Sequence, residues 1–197
     1  HIHKRLPMGG GLGGGSSNAA TTLLAMNRLW ELNLGEDQLA EIGLRLGADV
    51  PVFVRGHAAF GEGVGEKLTP TNPPEDWFLV LKPECNISTG KIFSAEGLTR
   101  DTPKIKIRPA FEGDASRYRN DCEDVVRKLY PEVNQSLEWL SQFGPARLTG
   151  TGACIFGRFP TESAARIIWE SKPSGITGFV AKGVNHSPLH KKLTELK

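Results

Sequence analysis

Cysteine is scarce in this 197-residue sequence. The three cysteines, Cys85, Cys122 and Cys154, lie far apart along the chain. An odd and widely spaced set is not a disulfide framework, and it includes no CxxC pair that would indicate a metal site. We therefore expect a reducing, cytoplasmic setting for the protein.

Long apolar runs are absent too, and neither sign of charge is in excess. No run reaches the roughly 20 apolar residues that a membrane-spanning helix needs. The 24 basic and 22 acidic residues leave a formal net charge of +2. This balance gives no general case for nucleic acid or an anionic membrane as a partner, so any anion-binding site has to be local.

Glycine, in contrast, is concentrated near the start of the chain. Six glycines lie between Met8 and Ser16, and a sequence typical of a helix follows directly. Because glycine has no Cβ, such a loop lets a ligand approach its backbone, and the N–H groups at the start of a helix favour an anion such as phosphate. The alternative is a flexible glycine-rich linker, although linkers rarely lead directly into a strongly patterned helix. Ser16 or Ser17 is predicted to cap that helix.

Two familiar glycine motifs fit this loop poorly. Gly10 and Gly15 have the spacing of a Walker A loop, but Ser16 stands where that motif needs a lysine to supply charge to the phosphates. The dinucleotide-binding pattern GxGxxG also fits, starting at Gly9. That motif requires a following strand with an acidic end, whereas this sequence predicts a second helix.

Apolar spacing predicts a short strand over residues 2–6 and then two helices. The inward stripes of the two helices are, in chain order, Ala19, Leu23, Met26 and Trp30, and then Leu39, Ile42 and Leu46. Gly47 ends the second helix and starts a tight turn that leads into an apolar segment. Many glycines between residues 56 and 68 indicate strands with bulges or close backbone approaches.

The second half of the chain restarts this pattern. It is predicted to have a short helix capped by Ser88 or Thr89 and an irregular surface loop over 99–119, whereas a buried strand over 77–81 closes the first half. Further predicted elements are a helix over 120–130, a helix from Pro131, a strand after the glycine turn at 150–152, a helix capped by Thr161, a strand over 179–181 and a polar tail from 187. We expect an α+β protein with two lobes, residues 1–82 and 83–197.

Several residues have both a structural and a functional interpretation. Asp49 could be a turn or cap aspartate, or a carboxylate that accepts a hydroxyl proton during phosphoryl transfer. The turn at Gly150 could be a plain β-turn. Glu62 and Glu66 could be surface charges or could hold Mg²⁺, and Phe93 could be a core residue or a platform for a base.

Four segments resemble the GHMP small-molecule kinases, in the order that this family has them. Residues 6–20 resemble the ATP-binding glycine loop, and residues 47–53 (GADVPVF) resemble the catalytic-aspartate segment. Residues 148–154 (LTGTGAC) resemble the third GHMP motif, and residues 120–123 (NDCE) fit an Asn-Asp segment. Together these matches are highly specific, although each glycine turn alone is not.

The resemblance implies the two-lobed α+β GHMP fold, with an incomplete N-terminal lobe like ribosomal protein S5 and a C-terminal α+β lobe. It also implies ATP and Mg²⁺ as cofactors, with no Mg²⁺ ligands identified. The glycine-richest version of the loop implies transfer of the ATP γ-phosphate to the 2-hydroxyl of a cytidine diphosphate-linked methylerythritol, a small-molecule substrate of the non-mevalonate route to isoprenoid precursors.

The resemblance assigns roles to individual residues. Asp49 would act on the substrate hydroxyl as a base or an orienting group. Thr89 and Phe93 would lie beside the cytosine, with Phe93 stacking on the base. Gly150, Thr151 and Gly152 would complete the cleft near the phosphates and contact the substrate. The implied ATP-binding residues are Lys4, Pro7, Met8, Gly9, Gly10, Gly11, Leu12, Gly13, Gly14, Gly15, Ser16 and Ser17.

Members of this family also carry an N-terminal segment with a catalytic lysine and part of the cytosine pocket. No counterpart of that segment is present in this sequence. We therefore expect the chain to be the C-terminal part of the kinase and to be inactive, or nearly so, on its own. Two alternatives stay open: a GHMP kinase acting on a sugar, homoserine or mevalonate, and a nucleotide-binding module without turnover.

Overall fold

The computed structural model describes residues 2–103 and 119–195. The chain forms two compact units, one made of His1–Leu12 and Asp76–Gly183, the other of Gly13–Glu75 and Val184–Lys197. Each unit combines two separate stretches of sequence, whereas the predicted lobes divide the chain once, after residue 82. That division stays a prediction. The central part of the predicted loop over 99–119, residues 104–118, lies outside the described residues.

The described helices and strands follow one another in a mixed order. The helices are α1 (Gly14–Leu29), α2 (Glu36–Leu46), α3 (Val50–Arg55), α4 (Thr89–Phe93), α5 (Glu123–Leu129), α6 (Pro131–Ser141), α7 (Glu162–Glu170) and α8 (Pro188–Glu195). The strands are β1 (Ala59–Glu62), β2 (Lys67–Pro70), β3 (Trp77–Lys82), β4 (Ala146–Leu148), β5 (Ile155–Phe159) and β6 (Thr177–Lys182). This mixture confirms the α+β class.

The unit that contains Asp76–Gly183 is built on a four-stranded antiparallel sheet in the order β4-β5-β3-β6. In β3, the central residues Leu79, Val80 and Leu81 are all buried. The near-continuous apolar run of this strand is the pattern of a strand covered on both faces. Its burial confirms the strand that the sequence predicts over 77–81.

Three helices of this unit begin where the sequence predicts them, whereas the helix predicted over 120–130 begins at Glu123. Ser88 and Thr161 accept hydrogen bonds from the backbone N–H groups three residues on, at 3.4 and 3.2 Å. Pro131 occupies the first position of α6, where a missing N–H costs nothing. The inward residues of α6 are Val133, Leu137 and Leu140, as predicted, and all are buried in the core below the sheet.

The unit that contains Gly13–Glu75 is built on packed helices and a hairpin. Helices α1, α2 and α3 share a small core that consists of Ala20, Leu39, Ala40, Val50 and Val54. Strands β1 and β2 form a two-stranded antiparallel sheet in which Ala59 faces Pro70 and Glu62 faces Lys67. This hairpin confirms the strands expected in the glycine-containing stretch.

Several predicted details of the helices are wrong. Helix α1 begins at Gly14, with Gly13 rather than a serine at its N-cap, because the left-handed backbone of that position suits glycine. Trp30 lies beyond the end of α1. In α2, Leu46 is 63% exposed and Gly43 is buried in its place, because close packing against α3 requires a small residue.

The predicted strand over 2–6 is also wrong, since these residues are described and none of them belongs to a strand. A polar stretch of this kind forms a strand only when it pairs with another strand, and the alternation of its residues does not show whether such a strand exists. The apolar segment after Asp49 forms helix α3, and the polar tail contains helix α8. In both cases the local pattern is too short to identify the helix.

The packing of β3 gives a direct stability prediction. Leu81 is fully buried, whereas Leu129 at the end of α5 is 45% exposed. We expect Leu81→Ala to lower the free energy of unfolding by about 2–5 kcal/mol, because it removes buried methyl groups and leaves a cavity. Leu129→Ala, the matched control, is expected to cost less than about 1 kcal/mol. Urea unfolding measures both, and equal losses would contradict the assignment of the core.

Candidate active site

The first half of the glycine loop is hydrogen-bonded to residues that flank the glycine turn at 150–152, in the same compact unit. The Gly10 carbonyl oxygen accepts from the Thr149 hydroxyl at 2.7 Å and from the Cys154 N–H at 3.2 Å. The Gly9 carbonyl oxygen accepts from the Ala153 N–H at 3.4 Å. These bonds join residues about 140 positions apart and fix the loop backbone at this point.

Glycine is required here because the two backbones lie in contact. A Cβ atom on Gly10 would lie 2.6 Å from the Cys154 sulfur, and one on Gly11 would collide with the Thr149 carbonyl oxygen. Gly11 also has a φ of +71°, a left-handed conformation that disfavours every side chain with a Cβ. The loop is therefore a packed element, which argues against a flexible linker.

Three sets of hydrogen bonds hold the glycine turn at 150–152. Its own backbone closes through the Gly152 N–H, which donates to the Thr149 carbonyl oxygen at 2.7 Å. The Asn120 side chain donates to the Gly150 carbonyl oxygen at 2.6 Å. The hydroxyls of Thr151 and Thr89 lie 2.9 Å apart, which brings two predicted substrate-binding residues together.

The second half of the glycine loop starts α1 in the other compact unit. Gly13 caps the helix with a φ of +64°, and the ring of Phe53 packs so closely that a Cβ atom on Gly13 would lie 2.9 Å from it. The geometry of a helix start leaves the N–H groups of Gly14, Gly15 and Ser16 without intrahelical acceptors. The first turn of α1 carries no acidic side chain, so these donors and the helix dipole favour an anion.

Asp49 lies in the same unit as the start of α1. It occupies the N-cap position of α3, yet its side chain makes no capping hydrogen bond and is exposed. Asp49 therefore lies in a turn, as one interpretation had it, but its side chain does not cap the helix. The preceding turn approaches α1, since a Cβ atom on Gly47 would lie 3.9 Å from the Ser16 hydroxyl oxygen.

The three cysteines are free thiols, and none has the environment of a nucleophile. Burial raises the pKa of the Cys154 thiol to about 11, and it also raises the pKa of the Cys85 and Cys122 thiols. A thiol with a raised pKa carries less thiolate near neutral pH and is less reactive. The role of Cys154 is to pack against Gly10 of the glycine loop.

Other predicted site residues lie at the surface of the protein. Phe93 is 57% exposed, so its interpretation as a core residue is wrong. Lys4 and Met8 are exposed as well. The Glu66 carboxylate accepts from the Val64 N–H at 2.7 Å, and bonds from its own and the Val64 N–H lower its pKa. This carboxylate stabilises the hairpin turn.

Within the described residues, no group of three or more His, Cys, Asp or Glu side chains could hold a metal ion. None of the described helices is both long and apolar enough to cross a membrane.

Sequence reasoning missed the supporting residues of this site. Thr149 and Asn120 lie in recognised segments, but only the folded chain shows that their side chains hold the two glycine segments. Phe53 was assigned to an apolar segment, and its contact with Gly13 had no local signal. The weak signal that could have found Thr149 is a hydroxyl directly before a glycine turn, since hydroxyls often bond to nearby backbone.

Comparison with family models gives two matches. The model of the GHMP kinases N terminal domain matches residues 1–57, and the model of the GHMP kinases C terminal domain matches residues 106–171. Neither match crosses the predicted boundary after residue 82.

Comparison with known proteins gives similar enzymes. A 4-diphosphocytidyl-2-C-methyl-D-erythritol kinase of Marinobacter nauticus is 99% identical over 197 residues, which are 100% of this chain and 69% of the relative. A kinase of the same name from Hahella chejuensis is 58% identical, and the match covers 100% of this chain and 66% of the relative. The chain thus spans about two-thirds of the length of these relatives.

Solved structures agree in fold. A crystal structure of 4-(cytidine 5'-diphospho)-2C-methyl-D-erythritol kinase has a TM-score of 0.77 at 30% identity, covering 92% of this chain and 68% of that one. A homoserine kinase from Cytophaga hutchinsonii has a TM-score of 0.69 at 15% identity, covering 93% of this chain and 69% of that one. The second likeness shows the fold alone.

The glycine contacts predict a graded response to alanine. Gly9 and Gly11 both have a positive φ, but a Cβ atom meets nothing within 4 Å at Gly9 and collides with Thr149 at Gly11. We expect Gly9→Ala to lower the free energy of unfolding by about 1–2 kcal/mol, and Gly11→Ala to lower it further. Gly15→Ala, in a helix with open space around it, should raise it by roughly 0.5–1 kcal/mol. Denaturant unfolding measures all three, and equal losses at Gly9 and Gly11 would show that the Thr149 contact is unimportant.

Proposed function

We propose that this chain serves the phosphoryl transfer of the 4-diphosphocytidyl-2-C-methyl-D-erythritol kinase family, to which it belongs. Members of this family are ATP-dependent small-molecule kinases of the GHMP group. The reaction is transfer of the γ-phosphate of ATP to the 2-hydroxyl of 4-diphosphocytidyl-2-C-methyl-D-erythritol, within the supply of isoprenoid precursors. The near-identical Marinobacter nauticus relative is the observation that carries this proposal.

Asp49 is the proposed catalytic residue. An exposed carboxylate that is not used to cap α3 can accept the proton of the substrate hydroxyl or orient that hydroxyl for attack. Phosphoryl transfer depends mainly on positioning and on stabilising charge. The core shared by α1 and α3 supports this role, because it holds the segment of Asp49 against the helix that starts at the glycine loop.

The glycine loop is the proposed site for the phosphates of ATP. The free N–H groups at the start of α1 and the absence of acidic side chains in its first turn favour a triphosphate. The fixed backbone of Gly9–Gly11 supports the same assignment, because a preformed loop loses less conformational entropy when a ligand binds. Lys4, Pro7, Met8, Leu12 and the residues from Gly13 to Ser17 are proposed to complete the nucleotide site.

Thr89 and Phe93 are the proposed contacts of the cytidine moiety. A half-exposed aromatic ring on a short helix is available to stack on a base, an interaction that buries a large apolar face. Gly150, Thr151 and Gly152 are proposed to contact the substrate near the phosphates. The 2.9 Å approach of the Thr89 and Thr151 hydroxyls supports one continuous surface for this ligand.

Mg²⁺ is proposed to arrive with ATP. It favours octahedral oxygen coordination, keeps several waters and is commonly bound through one or two protein oxygens together with substrate phosphates. Bound Mg²⁺ would neutralise charge that develops on the phosphates.

A cytoplasmic setting is part of the same proposal, because ATP is the phosphate donor and the three cysteines are free thiols. The expectation that the 197-residue chain has little activity alone stays a prediction. Its test is ATP consumption by this chain beside a full-length protein, in which this chain replaces the matching part of the Marinobacter nauticus relative. Turnover by the chain at the rate of the full-length protein would contradict the expectation.

Replacing Asp49 tests the proposed chemistry. In the full-length protein, Asp49→Asn should lower kcat by about 10²–10⁴-fold, because the amide cannot accept the hydroxyl proton. The dissociation constant of an ATP analogue should stay within about twofold of the parent value. A coupled assay of ADP release with the cytidine substrate measures kcat, and calorimetry measures binding.

Asp37→Asn is the matched control, since Asp37 is an exposed aspartate of the same unit whose carboxylate pairs only with Arg55 among the described residues. Near-parental turnover of Asp49→Asn would remove Asp49 from the reaction. A panel containing homoserine, mevalonate and sugars should give no turnover. If one of them reacts in place of the cytidine substrate, another GHMP kinase activity is correct, and ATP-analogue binding without turnover on any substrate indicates a nucleotide-binding module.

A further inference from the structure

The Asn-Asp segment at residues 120–123 has no part in the chemistry proposed above. It leads into α5 and belongs to the same compact unit as the glycine turn and the first half of the glycine loop. Cys122 and Val126 anchor this stretch in the core. The side chains of Asn120 and Glu123 both point to the backbone at the end of β4.

Both N–H groups of the Asn120 amide are used, and its oxygen accepts one bond. Its nitrogen donates to the carbonyl oxygens of Leu148 and Gly150, at 3.1 and 2.6 Å, and its oxygen accepts from the Cys122 N–H at 3.0 Å. Two donors and one acceptor in this arrangement require an amide. A carboxylate would place a negative oxygen against two carbonyl oxygens.

Glu123 bonds to the backbone of the same residue, Leu148. Its carboxylate accepts from the Leu148 N–H at 3.0 Å, and its side chain is only 22% exposed. A second interaction, with Arg127, is long at 4.0 Å. The N–H and the carbonyl oxygen of Leu148 are therefore both bonded to side chains of the Asn-Asp segment.

These bonds are connected to the glycine loop through Thr149, the next residue. Thr149 follows Leu148 directly, and its hydroxyl donates to Gly10 at 2.7 Å. Gly150, the residue after it, is held by Asn120. Residues 148–150 are thus bonded to the Asn-Asp segment on one side and to the glycine loop on the other.

We propose that Asn120 and Glu123 are positioning residues that set the conformation of the glycine turn and, through Thr149, of the glycine loop. They do not touch a ligand themselves. Their effect on catalysis rests on the proposed function, since it requires that the loop bind the phosphates of ATP. Their effect on the conformation of the loop does not depend on the proposed function.

The first experiment needs no nucleotide. Hydrogen exchange of the 197-residue chain is measured for the parent, Asn120→Asp, Glu123→Ala and Glu123→Gln. We expect exchange of the amides of Leu148, Thr149 and Gly152–Cys154 to rise about tenfold or more in Asn120→Asp and Glu123→Ala, because the bonds that hold Leu148 and Gly150 are lost. The Ala153 and Cys154 amides report on the glycine loop, since they donate to the carbonyl oxygens of Gly9 and Gly10. The hairpin β1–β2 of the other unit serves as the internal reference and should not change.

Glu123→Gln is the conservative rescue, because its amide oxygen can still accept from the Leu148 N–H. It should keep exchange near the parent value. Asp124→Ala is the matched control, since Asp124 lies in the same helical turn, is 63% exposed and pairs with Arg119. Unchanged exchange of the Ala153 and Cys154 amides in Asn120→Asp and Glu123→Ala, or a rise of equal size in Asp124→Ala, would overturn the proposal.

The second experiment measures kinetics of the full-length protein. We expect the KM for ATP to rise about tenfold in Asn120→Asp and Glu123→Ala, a change equivalent to one lost polar interaction. The KM for the cytidine substrate should rise as well, because the glycine turn that Asn120 holds is a proposed contact of that substrate. No increase of the KM for ATP, or an equal increase in Asp124→Ala, would overturn the catalytic part. If the parent protein has no kinase activity, the proposed function fails, and the exchange experiment still decides whether Asn120 and Glu123 position the loop.

Discussion

The close backbone contact between Gly9–Gly11 and the turn at 149–154 is the constraint on which the site depends. The Gly10 carbonyl oxygen bonds to the Thr149 hydroxyl and to the Cys154 N–H, and there is no room for a Cβ atom on Gly10 or Gly11. An interior is packed as densely as an organic crystal, so an approach of this kind tolerates no larger side chain. It turns a glycine-rich stretch into a fixed loop, and it gives Cys154 a packing role in place of a chemical one.

Asp49 shows how packing can leave a functional group available. The core of α1, α2 and α3 fixes the backbone on both sides of it, while its carboxylate stays exposed and caps nothing. An aspartate at the start of a helix is usually stabilised by bonding to the first turn. Here that bond is missing, and the open carboxylate is consistent with the catalytic role that we propose for the family reaction.

Much of the fold could be predicted from local patterns, because these patterns follow directly from backbone geometry. The caps at Ser88 and Thr161, the proline at the start of α6 and the apolar run of β3 were all predicted correctly. The failures have a shared cause. The strand over 2–6 lacks a partner, and Gly43 rather than Leu46 is buried in α2 because α3 packs against that face. Both depend on neighbours that are distant in sequence.

The sequence alone determined the family, since the glycine loop, the segment of Asp49 and the turn at Gly150 occur in a specific order. It also predicted a close backbone approach at the glycine loop, because glycine has no Cβ. Only the tertiary structure decided what holds these segments in place. Asn120, Glu123 and Thr149 act through side-chain bonds to backbone up to 139 residues away, and no periodicity or local motif encodes a contact over such a distance.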